Sequence, residues 1–157
     1  MDTRNMRLTT RTNLAMRTLM FCGVNPDKVV TKGDIARACH AKETHIAQVV
    51  HLLSQKGYLK TTRGRGGGIM LARTPSEINV GEVIRAFEDT TAFAECFQAA
   101  HNTCPLALAC RLKSALSVAL GAFYGALEGL TLEDLVGAND PLKALLLMRD
   151  EEPEPVI

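Results

Sequence analysis

The alternation of apolar and polar positions divides the chain into short helical stretches, one pair of strands and one long helix. Leu8, Thr12, Ala15, Leu19 and Cys22 recur at helical spacing, and Thr9 or Thr10 can cap a helix running to about residue 22. Gly23-Val24-Asn25-Pro26-Asp27 ends it with turn chemistry. Thr31-Lys32-Gly33-Asp34 places an acid three residues after a threonine, as in a capping box, and a short helix is expected over 35–40. After a tight break at Ala41-Lys42, a second helix is expected over 43–56. Its apolar face carries Ile46, Val49, Val50 and Leu53, and Gly57 stands where a C-cap glycine belongs. Residues 58–62 and 69–72 have strand composition. Asn79 can cap a helix over 80–87, with Glu82 in the third position.

The second half is dominated by one pattern. Pro105 suits the first turn of a helix over 106–128. Leu112, Leu116, Ala119, Phe123, Ala126 and Leu130 follow at steps of four, three, four, three and four. Such a heptad stripe suits a helix that pairs with another, most simply with its own copy in a homodimer. Gly129 ends the helix. Thr131-Leu132-Glu133-Asp134-Leu135 starts a short acidic helix, and residues 141–147 form a brief apolar segment expected to pack on the dimer. Residues 149–157 are acidic and contain prolines, a composition that predicts a disordered tail.

Two short helices separated by a tight break are the helix-turn-helix pattern, whose second helix enters the major groove of DNA. The two strands enclose Arg63-Gly64-Arg65-Gly66-Gly67-Gly68, a glycine-rich tip bearing two arginines. Helix, helix, strand, tip, strand is a winged helix-turn-helix. The expected class is therefore mainly α, with a β-hairpin wing and a long C-terminal dimerisation helix. Residues 1–78 would form the DNA-binding domain, 79–148 the remaining loop and dimerisation helices, and 149–157 the tail. Lys42, Glu43, Thr44, His45 and Gln48 are the expected groove-facing residues. Arg63 and Arg65, with Gly66 and Gly67, would meet phosphate or the minor groove. The glycine run is not a nucleotide loop: it lacks G-x-x-x-x-G-K-S/T and lies between two strands.

Charge sharpens this picture. The net charge of +1 over 157 residues hides an asymmetry. Residues 1–75 carry thirteen Lys/Arg against four Asp/Glu, whereas residues 76–157 carry five against thirteen. A basic first half suits a polyanion such as double-stranded DNA. No apolar run reaches membrane-spanning length and no signal peptide opens the chain, so a soluble, cytoplasmic protein is expected, without a membrane partner. No nucleophile–base pairing, carboxylate dyad or cofactor fingerprint points to an enzyme.

Candidate chemistry concentrates in CFQAAHNTCPLALAC, where Cys96, Cys104 and Cys110 are spaced C-x7-C-x5-C. Three thiols argue against a closed disulfide framework. Thiolates gathered on one loop suit a soft metal centre or an iron–sulfur cluster. The usual zinc signature is missing, because there is no C-x-x-C pair. Inert packing as small hydrophobes, or a cluster-free thiol–disulfide or sulfenate switch, are the other readings. Cys22 and Cys39 fall on expected helices and are assigned to the core.

Taken together, these segments resemble the Rrf-type iron–sulfur regulators, the family that includes the NsrR, RirA and IscR types. MRLTTRTNLAMRTLMFC is similar to the family's first helix, TTRGRGGGIMLAR to its R-G-R/K-x-G-G wing, and INVGEVIRAFED to the helix after it. The resemblance covers residues 6–147. It implies a homodimeric transcription factor, most simply a repressor at palindromic promoter DNA, that senses nitric oxide or iron availability. It implies cluster ligation by Cys96, Cys104 and Cys110, with 4Fe-4S ahead of 3Fe-4S or 2Fe-2S. Residues 43–50 match the recognition helix, and Leu112, Leu116, Ala119, Phe123 and Ala126 lie on the helix that crosses its copy. Two positions depart from the family pattern. The histidine of IscR-like clusters, three residues after the last cysteine, is Lys113 here. The aspartate that NsrR-type sites take from the partner's first helix corresponds to Asn13. The fourth iron position is left to Asn13, Glu95, His101, an external ligand, or none.

Overall fold

The structure is a computed structural model that describes residues 8–88, 93–98, 100 and 102–148. The tail at 149–157 and His101 therefore lie outside the described residues. The elements, in order, are α1 (Thr10–Val24), α2 (Lys32–Ala38), α3 (Glu43–Gln55), β1 (Leu59–Thr61), β2 (Ile69–Leu71), α4 (Val80–Phe87), α5 (Arg111–Glu128), α6 (Leu132–Val136) and α7 (Asp140–Leu146). The two strands pair antiparallel with Lys60 opposite Met70.

Local chemistry sets most of these boundaries. Thr9 caps α1 by accepting the Thr12 amide, and the helix runs two residues past Cys22 before Asn25 stops it. Thr31 and Asp34 form a reciprocal capping box, so α2 begins at Lys32, three residues before the expected start. It ends at Cys39, and the turn into α3 passes through His40 at φ +50. Gly57, at φ +74, follows the last turn of α3. The strands are shorter than expected, three residues each. Asn79 caps α4 through the Glu82 amide, and Thr131 with Asp134 boxes the start of α6.

The expected start of the long helix is corrected. α5 begins at Arg111, and residues 105–109 form successive turns. Among the described residues they are held by i→i+3 backbone bonds, from Ala107 to Cys104 and from Ala109 to Leu106. This stretch is rich in helix formers, but Leu106 and Leu108 are exposed and bury nothing. An end of helix without packing is marginal in water. Pro105 is thus no first-turn residue. Cys110 is the cap, its Sγ accepting the Lys113 amide at 3.4 Å.

α1 is the hub. It touches α2, α3, α4, α6, α7 and β2. One apolar core runs from Leu14, Leu19, Ile35, Ile46 and Leu53 through Ile78, Val83 and Ile84 to Leu132 and Val136. The cluster joins the helix-turn-helix to the elements after it. Two backbone bonds lock the crossing, Val80 to Leu130 and Leu132 to Ile78. α7 packs on α1 of its own chain, where Asn25 anchors it. Asn25 Nδ2 donates to Leu146 O at 2.9 Å, its Oδ1 accepts the Met148 amide at 2.8 Å, and Lys28 donates to Met148 O.

Candidate functional site

The basic face is built by α3 and the wing. α3 turns Ile46, Val49, Val50 and Leu53 into the core. Lys42, Glu43, Thr44, His45 and Gln48 are all exposed on the opposite side. Leu53 is fully buried, so this side of α3 cannot rotate away without opening the core.

The wing is fixed at its base and open at its tip. Thr62 N–H donates to Gly68 O at 2.9 Å, and Ile69 N–H to Val30 O at 2.8 Å. Gly64 and Gly66 adopt φ +96 and +81, a backbone region that favours glycine. A Cβ on Gly68 would lie 2.7 Å from Val29 Cγ1, so that position holds the strand close to the segment before α2. Arg63 and Arg65 project from this tip and are exposed, as is Gly66, and Gly67 is half-buried. Between α3 and the wing opens a cleft of about 430 Å³, lined on its polar side by Lys32, His51 and Arg63. Sequence reasoning did not single out Lys32 or His51, because their convergence depends on how the wing folds back over α3.

The cysteines fall into two groups. Cys22 and Cys39 are buried. Burial, with a smaller contribution from a charge on Cys39, pushes the Cys22 thiol up to about 12. Burial also raises the Cys39 thiol, against an opposing pull from the Arg17 guanidinium. Both are neutral packing residues at physiological pH, as expected from their helices. Cys96, Cys104 and Cys110 are partly exposed and unpaired, on the segment between α4 and α5.

That segment has internal order. Glu95 Oε1 accepts both the Thr103 amide and the Thr103 hydroxyl, each at 2.6 Å. These two bonds, the hydroxyl first, hold the Glu95 carboxyl below its ordinary range. Cys104 N–H donates to Asn102 Oδ1 at 3.1 Å. Phe93 and Phe97 meet edge to face at 5.9 Å. Among the described residues, no three His, Cys, Asp or Glu side chains form a group able to hold a metal ion. The donor set still fits a soft centre: three accessible thiols on a short segment, one already accepting a backbone amide. Asn13 is exposed on the first turns of α1, its Nδ2 turned back to Leu8 O and Thr9 O at 3.3 Å.

The chain is tied to the DNA-binding half where it leaves α4, and α4 is in turn tied to the far end of α5. Glu88, just past α4, accepts the Thr9 amide at the start of α1 at 2.7 Å. At the far end of α5, Glu128 receives Arg85 of α4 at 2.6 Å, and the same guanidinium lies 4.0 Å over the Tyr124 ring. Asn79 Nδ2 donates to Glu128 O at 2.7 Å. Contacts between residues so far apart in sequence leave no local signal.

α5 presents two faces. Leu120, Tyr124 and Leu127 turn toward the chain's own core. The stripe of Leu112, Leu116, Ala119, Phe123 and Ala126 lies about a quarter-turn round the helix from them. Leu112 is 64% and Phe123 41% exposed, and Ala119 and Ala126 are open.

Comparisons with known proteins agree with this architecture. The Rrf2 family, described as an iron-dependent transcriptional regulator, matches residues 8–138. Protein aau3 of Rhizobium meliloti (strain 1021) is 43% identical over 148 residues, covering 94% of this chain and 95% of that protein. The HTH-type transcriptional regulator NsrR of Shouchella clausii (strain KSM-K16) is 40% identical over 148 residues, covering 94% and 99%. Among solved structures, T. potens IscR has a TM-score of 0.67 at 24% identity, covering 93% of this chain and 94% of that one. CymR (YrzC), the global cysteine regulator of B. subtilis, has a TM-score of 0.67 at 22% identity, covering 84% and 97%. The two structures share the winged-helix fold seen here.

Proposed function

The chain belongs to the Rrf2 family of transcriptional regulators, and from that premise we propose that it is a homodimeric repressor whose grip on promoter DNA is set by an iron–sulfur cluster held by Cys96, Cys104 and Cys110. It is a regulator and not an enzyme. The observation that carries the finer reading is positional. Three accessible thiols stand on the one segment that joins α4, packed on the DNA-binding half, to α5, which bears the exposed apolar stripe.

When bound, a cluster, 4Fe-4S or one of the smaller forms, would supply iron open to nitric oxide or to withdrawal when iron is scarce. Cys96, Cys104 and Cys110 would hold it, and the fourth position is left to Asn13, Glu95, His101, an external ligand, or none. Ligation by all three cysteines draws the segment into one geometry, and their release frees it. Glu88 on the Thr9 amide and Arg85 on Glu128 pass that difference to α1 and α5. Two copies joined along α5 must present their α3 helices about one DNA turn apart, roughly 34 Å, so a small change in either element weakens binding to a palindromic site. Lys42, Glu43, Thr44, His45 and Gln48 read the major groove. Arg63 and Arg65 hold the backbone or minor groove, and Gly66 and Gly67 let the tip approach closely. No helix of the described residues is long and apolar enough to cross a membrane, in keeping with a DNA-binding protein that works in the cytoplasm.

The test is the visible absorption spectrum, with iron and sulfide analysis, of protein purified without oxygen, beside Cys104→Ala. A brown wild type that bleaches with nitric oxide or with an iron chelator, and a variant with reduced occupancy, supports the reading. Full occupancy and unchanged response in Cys104→Ala overturns the ligand assignment. A second reading keeps the winged helix and makes the same exposed thiols a disulfide or sulfenate switch. The fold likeness to a cysteine regulator favours keeping it in view. A colourless protein that binds DNA only when its thiols are reduced would establish that alternative.

A further inference from the structure

Glu95 and Thr103 occupy a position that the ligand assignment does not explain. Each immediately precedes a cysteine, Cys96 and Cys104. One carboxylate oxygen of Glu95 takes two hydrogen bonds from Thr103, backbone and hydroxyl, both at 2.6 Å. Charge-assisted bonds of this length are the stronger kind. They tie residue 95 to residue 103, so each end of the clasp stands directly before a thiol-bearing residue, Cys96 at one end and Cys104 at the other. Asn102 accepts the Cys104 amide, and the contacting Phe93 and Phe97 flank Glu95 and Cys96 in sequence. Glu95 and Thr103 are both exposed.

We propose that the Glu95–Thr103 clasp is a positioning device that sets Cys96 and Cys104 in register for joint ligation, with Glu95 acting through Thr103 and not as a ligand itself. The inference rests on the cluster reading above. Its physical content is preorganisation. Bringing the ends of a loop together costs entropy, and a clasp that closes it in the metal-free chain removes that cost from ligation. Cys110 needs no such clasp, since the first turn of α5 already fixes it through the Lys113 amide.

The test uses the full chain as wild type, Glu95→Ala, Thr103→Val and Thr103→Ser. Two readouts separate the clasp from the cluster: hydrogen exchange at the Thr103 amide in metal-free protein, and the half-time of cluster loss to an iron chelator after anaerobic reconstitution. Glu95→Ala is expected to speed exchange at that amide. Both Glu95→Ala and Thr103→Val are expected to lose the cluster roughly 10-fold faster, the scale seen when a group that orients a metal ligand is removed. Thr103→Ser keeps both donors and is expected to behave as wild type.

Three results would overturn the proposal. If Glu95→Ala destroys the cluster and Thr103→Val leaves it unchanged, Glu95 is a direct ligand. If exchange rises but cluster lifetime does not move, the clasp is structural only. If wild type takes up no iron and sulfide, the reading beneath the inference fails with it, whatever the exchange data say.

Discussion

Gly81 offers a sharp test of how α4 is seated on α5. A Cβ at this position would lie 2.5 Å from Glu128 Cγ, 2.6 Å from Glu128 N and 2.8 Å from Glu128 Cα. Carbon atoms in contact settle near 3.5–4.0 Å, so an alanine needs about 1 Å of separation. Two of the three obstacles are backbone, and Glu128 is held by Arg85 and Asn79. The helices must therefore part, disturbing the Val80–Leu130 and Leu132–Ile78 bonds. Overpacking of this kind costs about 1–3 kcal/mol. The helix propensity gained on replacing glycine, up to about 1 kcal/mol in a helix interior, counts for less at the second residue of α4. A net loss of roughly 1–2 kcal/mol is expected for Gly81→Ala. Gly121→Ala is the control. Gly121 lies within α5 with nothing inside 4 Å of its would-be Cβ, on the side away from the apolar stripe, and should gain about 0.5–1 kcal/mol. Urea denaturation followed by circular dichroism reads both. At about 1–3 kcal/mol per molar urea, the midpoints should move in opposite directions by several tenths of a molar or more. If both variants are stabilised alike, the close crossing of α4 and α5 is wrong.

Four further outcomes follow from the geometry. Burial draws the Asp34 carboxyl upward, but the Thr31 hydroxyl and amide and the Arg37 guanidinium outweigh it and leave the group below its ordinary value of 3.8. A depressed folded value stabilises above the unfolded one and fades as pH falls through the folded one, so the penalty of Asp34→Asn should be full at neutral pH and shrink as pH falls below the ordinary carboxyl value in paired melting curves. Asn25→Ala leaves Leu146 O and Met148 N without their side-chain partner, and hydrogen exchange should show the end of α7 opening about 10-fold more often. Phe123→Glu places a charge in the stripe of α5, and analytical ultracentrifugation is expected to find dimer for wild type and monomer for the variant. Removing Arg63 or Arg65 should lower the slope of log affinity against log salt by about 1 each, whereas His45→Ala should change which sequences bind.

Much of the fold could be read before any coordinates, for identifiable reasons. Thr31 with Asp34, Thr131 with Asp134, and Asn79 before Glu82 are local devices, and each caps a helix, although α2 starts three residues earlier than expected. Ile46, Val49, Val50 and Leu53 turn inward because period 3.6 leaves them no other common face. The glycines between Arg63 and Ile69 form a hairpin tip because positive φ is needed there. The start of α5 was not legible, since residues 106–109 are good helix formers whose two leucines stay exposed. Likewise Glu88 on Thr9, Arg85 on Glu128 and Asn25 on α7 join residues 43 to 123 positions apart. The exposed thiols were legible as a group, but the Glu95–Thr103 bond between them was not. Nothing about an acid and a threonine eight residues apart announces a contact without the turns between them.

The central claim is that the state of Cys96, Cys104 and Cys110 sets DNA affinity. Its most direct test is fluorescence anisotropy on a palindromic promoter fragment at fixed salt, with one oxygen-free sample measured before and after its iron is removed by nitric oxide or a chelator. The account predicts tight binding by the brown protein and a loss of at least about 10-fold in the bleached one, the size of a modest coupling free energy. Equal affinity in both states, with the iron shown to be gone, would contradict it.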